Sequence, residues 1–165
     1  MQRIDALSPA DSHAIGEVIN DAARAYKGVI PPDRWKEPYM SADELTEEIE
    51  AGIRFHGWVE DGVLIGIAGI QHVGDVDLIR HCYVRTAYQG RGIGGALLLR
   101  LVRLARTSDI LVGTWEAAMW AIRFYERHGF ELVPGDKKDS LLQRYWRIPR
   151  RQIETSIVLR YNKKW

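Results

Sequence analysis

The sequence predicts an α/β chain of the α+β kind: a mixed, mostly antiparallel central sheet of about six to seven strands flanked by helices. Three observations carry this. Asp61-Gly62 lies between the apolar runs 55–59 and 63–71 and supplies the positive φ angles that a tight hairpin needs. A strand at 77–84, a helix and a strand at 110–115 follow one another, which implies a right-handed crossover and one parallel pair. Ala14, Ile15, Val18, Ile19, Ala22, Ala23 and Tyr26 recur on one helical face, the signature of a helix packed on a core.

The elements follow in order. Residues 3–7 read as a short strand ending at Ser8-Pro9, and the first helix stops at Gly28 and Pro31-Pro32. Ser41-Ala42-Asp43-Glu44 is a capping-box start for a second helix over 45–51, closed by Gly52. After the hairpin and the strand 77–84, a helix from about Gly92 to Arg106 turns Leu97, Leu98, Leu101, Val102, Leu104 and Ala105 inward, and Arg100, Arg103 and Arg106 outward. The strand 110–115 precedes a helix over 117–128, for which Gly129 is a left-handed cap. A short helix at 141–145, Pro149 and a last strand at 153–161 complete the chain, and Trp35, Tyr39 and Trp120 are expected in the core.

Composition narrows the function. At 165 residues the chain is expected to form one domain, 1–165, around one core. Lys plus Arg number 23 against 22 for Asp plus Glu, so no overall field draws the protein to nucleic acid or to an anionic membrane. The cluster 144–151 mixes cations with aromatics but reads as a solvated surface. Cys82 is the single cysteine, and no leader or membrane span is legible, so a soluble protein of a reducing cytoplasm is expected, as a monomer or homodimer.

The most informative stretch is Tyr88-Gln89-Gly90-Arg91-Gly92-Ile93-Gly94-Gly95-Ala96, a glycine-rich turn between a strand and a helix. The first amides of a helix lack internal partners and carry partial positive charge, so such a turn lets phosphate oxygens reach the main chain. It is neither a dinucleotide fingerprint nor a nucleotide P-loop. Its Q-x-x-G-x-G pattern, Gln89 to Gly94, resembles the pyrophosphate signature of the GCN5-related N-acetyltransferases. Downstream, Ala121 to Phe130 looks like the later A-x-x-F-Y-x-x-x-G-F segment of the same family.

The resemblance implies acetyl-coenzyme A as co-substrate without a metal, and a primary amine of a small molecule or peptide as acceptor. It implies that Gln89, Gly90, Arg91, Gly92, Ile93, Gly94 and Gly95 hold the diphosphate. It further implies that Tyr83 and Val84 line a slot for the pantetheine arm, between their strand and the one at 110–115. In the family a β-bulge opens that slot. Tyr125 matches the position that assists the leaving thiolate, and Ala118, Ala121 and Ile122 share its helical face. A phenol of pKa about 10 donates a hydrogen bond to a thiolate of pKa about 8.5 more readily than it transfers its proton.

Two departures from the family pattern stand out. Ala118 replaces an asparagine of many relatives, and Leu78 occupies the strand position where some members carry a glutamate as base. The proton acceptor stays open among Asp77, His81, His72, Glu116 and ordered water. Asp77 and His81, four apart on one strand, are expected to face the same way. Cys82 reads as a buried small hydrophobe facing away from His81, and His128 as a favourable charge at a helix end. A non-catalytic acyl-coenzyme A-binding or regulatory module is the alternative. Acceptor choice is expected to reside in residues 28–40 and in the C-terminal segment.

Overall fold

The Asp61-Gly62 hairpin forms as its sequence requires, with φ of 48° and 80°. It joins β2 (Arg54–Glu60) to β3 (Val63–Val73). With β1 (Gln2–Ala6), β4 (Val76–Val84), β5 (Asp109–Trp115), β6 (Glu131–Leu132) and β7 (Ser156–Asn162), they make one sheet in the order β1-β2-β3-β4-β5-β7-β6. The computed structural model describes residues 1–164. Within it, β4 and β5 are the parallel pair that the crossover implied, and the other pairs are antiparallel.

Helices α1 (Ser12–Ala23) and α2 (Ala42–Glu50) cover one face through Ile15, Val18, Ile19 and Leu45, packed on Phe55, Val59, Leu64 and Ile67. Helices α3 (Ile93–Leu104) and α4 (Met119–Arg127) cover the other through Leu97, Leu98, Leu101 and Ile122, against Ile65, Ile79, Ile110 and Val112. Helix α5 (Gly135–Tyr145) packs Leu142 on Leu78, Leu111 and Val158. Half of the expected capping box forms at α2: Ser41 Oγ accepts from the Glu44 amide at 3.1 Å, while the Glu44 carboxylate takes the Ser41 hydroxyl at 3.1 Å rather than its amide.

Several expectations are corrected. Helix α3 ends at Leu104, because the Asp77 carboxylate takes the Arg106 and Thr107 amides at 2.9 and 2.8 Å, and Leu104 lies exposed rather than inward. Helix α4 starts at Met119, and α5 is longer than 141–145, starting one residue after Pro134. Helix α6 (Arg150–Glu154), begun after Pro149, delays the last strand to Ser156. The two-residue β6 was too short to read. Trp120 is 45% exposed, not core, although its ring stacks on Tyr26 at 5.9 Å. In the 144–151 cluster the arginines face solvent, while Trp146 turns inward against Gly113.

Candidate active site

The site begins with an extra residue in β4. Register runs Ile67 with Tyr83 and Gly69 with Arg80, so His81 and Cys82 together oppose Ala68. This is a β-bulge, and His81 takes the left-handed conformation, φ 56°. The insertion reverses the strand's alternation. Leu78, Arg80, His81 and Tyr83 meet the α1, α2 and α5 side, whereas Ile79, Cys82 and Val84 pack with α3 and α4.

Asp77 and His81 therefore do not share a face, contrary to the parity argument. Asp77 is 2% exposed and spent on structure: besides the two amides it accepts from Thr107 Oγ1 at 2.7 Å. It sits at the C-terminal end of α3, about 18 Å of helix away from the glycine turn. His72 lies beside Asp77, 3.5 Å away, at that same far end. Glu116 is exposed, its amide bonded to the Thr155 carbonyl, and its side chain is not part of the cleft wall. Among the titratable candidates, His81 is the one that reaches the cleft.

Beyond the bulge, β4 and β5 part. Their pairing covers Asp77 with Ile110, Leu78 with Leu111 and Ile79 with Val112, and none follows toward Tyr83 and Thr114. The opening forms a cleft of about 920 Å³ running from the glycine turn, past Cys82, Tyr83 and Val84, to Tyr26 and Tyr39. Among the described residues no aspartate or glutamate lines it. Gly113 belongs to its wall, where a Cβ would already touch Trp146 at 3.4 Å.

At one end stands the N-terminus of α3. Gly90 and Gly92 have φ of 82° and 79°, and a Cβ added at either would meet no atom within 4 Å. The first ladder bond of α3 runs from the Ala96 amide to the Gly92 carbonyl at 3.1 Å. The Ile93, Gly94 and Gly95 amides precede it and are free for an anion. Gly95 has a second constraint: a Cβ there would lie 2.6 Å from His128 Nε2. His128 Nδ1 is fixed 2.7 Å from the Phe124 carbonyl oxygen, so this histidine joins α4 to the turn instead of merely balancing a helix end.

The other residues of the turn have divided tasks. Gln89 Nε2 donates to the Val84 carbonyl at 3.0 Å and ties the turn to the strand. Arg91 is drawn out of the cleft by Glu60, at 2.7 and 3.3 Å, and contributes only its main chain. Ile93 is a buried anchor of the turn.

Tyr125 projects from α4 into the cleft and is 6% exposed, its ring against Phe124 and Phe130 at 5.1 and 5.7 Å. Burial holds its phenol well above the ordinary value, with the nearby Cys82 and Tyr26 adding to the effect. Cys82 lines the cleft rather than lying wholly inside the core, and burial pushes its thiol up to about 12. Ala118 is fully buried at the start of α4 among apolar neighbours and offers no polar group.

The opposite wall is aromatic. Tyr26 and Tyr83 hydroxyls are 3.3 Å apart, and Trp115 Nε1 donates to Tyr39 Oη at 2.8 Å. Behind them, Glu48 of α2 meets His81 Nε2 at 2.6 Å and Arg80 Nη2 at 3.0 Å. Burial would raise the Glu48 carboxyl, but the hydrogen bond from His81 and the charge of Arg80 outweigh it and hold the group below its ordinary value. Sequence reasoning missed Glu48, Trp146 and Gly113. A glycine inside a strand pattern was the only local signal among the three.

Solved structures share this architecture. The PaiA N-acetyltransferase of Thermoplasma acidophilum, in complex with coenzyme A, superposes with a TM-score of 0.75 at 19% identity, covering 99% of each chain. A GNAT-family acetyltransferase of Staphylococcus aureus Mu50 gives 0.73 at 16% identity, over 99% of this chain and 100% of that one. The ribosomal-protein-S18-alanine N-acetyltransferase of Escherichia coli gives 0.68 at 16%, over 100% and 96%. No curated protein sequence matches significantly. The model of the acetyltransferase (GNAT) family matches residues 17–130, and the chain belongs to that family.

Proposed function

We propose that the protein transfers the acetyl group of acetyl-coenzyme A to a primary amine of a small molecule or peptide by direct attack. One observation carries the reading: the free amides of the α3 turn, the parted β4 and β5 strands and Tyr125 all border one cleft. The residues fit the coenzyme. Left-handed Gly90 and Gly92 leave the turn bare for a diphosphate, and the slot beside Cys82 to Val84 offers unpaired strand edges to a chain with two amides. The related T. acidophilum structure is a coenzyme A complex, and the E. coli relative is named for the alanine of a ribosomal protein.

The thioester supplies the acetyl group, and a C–N bond forms as the C–S bond breaks. The chain's own residues manage charge. An amine of pKa about 10.4 arrives protonated and must lose a proton before attack. Negative charge on sulfur then develops where burial already pushes the Cys82 thiol up to about 12, so an unsolvated thiolate there is costly. Tyr125 offsets that cost by donating a hydrogen bond. Its own raised pKa keeps the proton on oxygen, which makes it a donor rather than a source of protons.

Ala118 favours a second reading, an acyl-coenzyme A-binding module without turnover, because it supplies no polar contact to the coenzyme. Calorimetric titration with coenzyme A, followed by thiol release from acetyl-coenzyme A across a panel of small amines and peptide N-termini, separates the two. Heat with thiol release supports acetyl transfer. Heat without release from any amine supports the module, and absence of heat refutes both.

A further inference from the structure

We propose that His81, held by Glu48, is the base that takes the proton from the acceptor amine; this rests on the acetyl-transfer reading above. The bulge is the first ground. A histidine at φ 56° is held where a glycine would rest without strain, and such outliers persist where surrounding structure fixes them. The result is a ring on the aromatic side of the cleft, stacked on Phe55 at 6.0 Å and 6.1 Å from Tyr83. A regular strand would have sent this side chain toward Asp77's face.

Hydrogen bonding is the second ground. Glu48 Oε2 lies 2.6 Å from Nε2, and Oε1 lies 3.0 Å from Arg80 Nη2, so the carboxylate accepts from both and is held in its charged form. A charged carboxylate cannot donate, which places the ring proton on Nε2 and leaves the lone pair on Nδ1. Nδ1 is buried and has no hydrogen-bond partner among the described residues. The only other such atom among the described residues, His56 Nδ1, belongs to a strand away from the cleft. The ring is 11% exposed and borders the cleft. An unmet acceptor with a carboxylate fixed behind it is the arrangement that orients a general base.

Around His81 stand Glu48 from α2 and Tyr83 from its own strand, with Arg80 paired to the same carboxylate and Tyr39, from the loop before α2, next to Tyr83. Glu48 is the one anion among them at neutral pH, so the imidazolium formed on proton uptake is paired at once.

The balance is simple. One proton of the incoming ammonium passes to Nδ1, and the freed lone pair forms the C–N bond while the C–S electrons leave with sulfur. The second nitrogen-borne proton ends on the thiol, and the one on His81 returns to solvent. The net products are an amide, free coenzyme A and one proton.

The test uses His81→Gly, which suits the left-handed backbone and leaves a hole the size of an imidazole. With an amine that the parent acetylates, the variant should lose about 10²- to 10⁴-fold in kcat/KM, keep its calorimetric affinity for coenzyme A, and recover at least about tenfold with added imidazole. Glu48→Gln, which removes the carboxylate behind the ring, should slow turnover without weakening coenzyme A binding. A His81→Gly variant as fast as the parent, or slow but unresponsive to imidazole, overturns the proposal while leaving acetyl transfer intact. A parent that binds no coenzyme A overturns the acetyl-transfer reading and this proposal with it.

Discussion

Replacing Tyr125 by Phe removes one oxygen and little else. The ring keeps its edge contacts with Phe124 and Phe130, and among the described residues the hydroxyl makes no hydrogen bond that folding would lose. Removing a buried hydroxyl that lacks a protein partner leaves stability unchanged or slightly higher. The chemical step is another matter. A hydrogen bond to a charged group contributes about 1.5–3 kcal/mol, and a tenfold rate change corresponds to about 1.36 kcal/mol, so the variant should be about 10- to 150-fold slower. The upper part of that range is favoured, because burial makes the alternative, a bare thiolate beside Cys82, especially unfavourable. Single-turnover mixing with enzyme in excess over acetyl-coenzyme A, read by thiol release, isolates this step from product departure. Coenzyme A affinity, measured by calorimetry, should stay within about twofold of the parent. A variant whose single-turnover rate equals the parent's, or one whose loss lies wholly in coenzyme affinity, refutes the role of the hydroxyl.

Two further substitutions probe the frame. Gly95→Ala drives a methyl to 2.6 Å from His128 Nε2, so the exposed imidazole must give up its bond to the Phe124 carbonyl to make room; the expected cost is about 1 kcal/mol in urea unfolding. Adding His128→Ala should recover most of it, a coupling that a double-mutant cycle measures. Asp77→Ala removes the acceptor of the part-buried Arg106 and Thr107 amides, while the Thr107 hydroxyl keeps the Asp109 carbonyl at 3.1 Å, so stability should fall by about 1–3 kcal/mol with single-turnover chemistry unchanged. A slowed chemical step in a folded Asp77→Ala protein would return Asp77 to the list of bases.

Much of the frame was legible because it is written locally. Helices α1 and α3 follow from apolar spacing, the hairpin from Asp61-Gly62, and the parallel pair from the order strand, helix, strand. The glycine turn and Tyr125 were equally legible, since each lies in a contiguous motif. What failed had no local signature. Strands as short as β6 and helices as short as α6 carry too few residues for a period. Glu48 and His81 are 33 residues apart, and nothing in either segment announces the partner. The inward turn of Trp146 depends on the bare backbone at Gly113 in β5, with α4, β6 and α5 in between.

The one expectation that misdirected the search for a base was the shared face of Asp77 and His81, and its failure explains the site. Period-two alternation holds only while two strands keep register, and register is decided by packing between strands. At Gly69 a Cβ would lie 2.9 Å from Ile53 and 3.0 Å from the Arg80 carbonyl oxygen, so β3 presses close to β4 just where the extra residue enters. The single insertion then divides β4 between two partners. Cys82 and Val84 turn to the α3 side, where the thioester arm is proposed to run, while His81 and Tyr83 turn to the aromatic wall where the amine is proposed to enter. A regular strand would exchange the two sides, sending His81 and Tyr83 toward α3 and Cys82 and Val84 toward the aromatic wall, so the imidazole would face the α3 core instead of the acceptor side. Restoring regular register by deleting one residue at the bulge should therefore abolish acetyl transfer more thoroughly than removing either side chain alone.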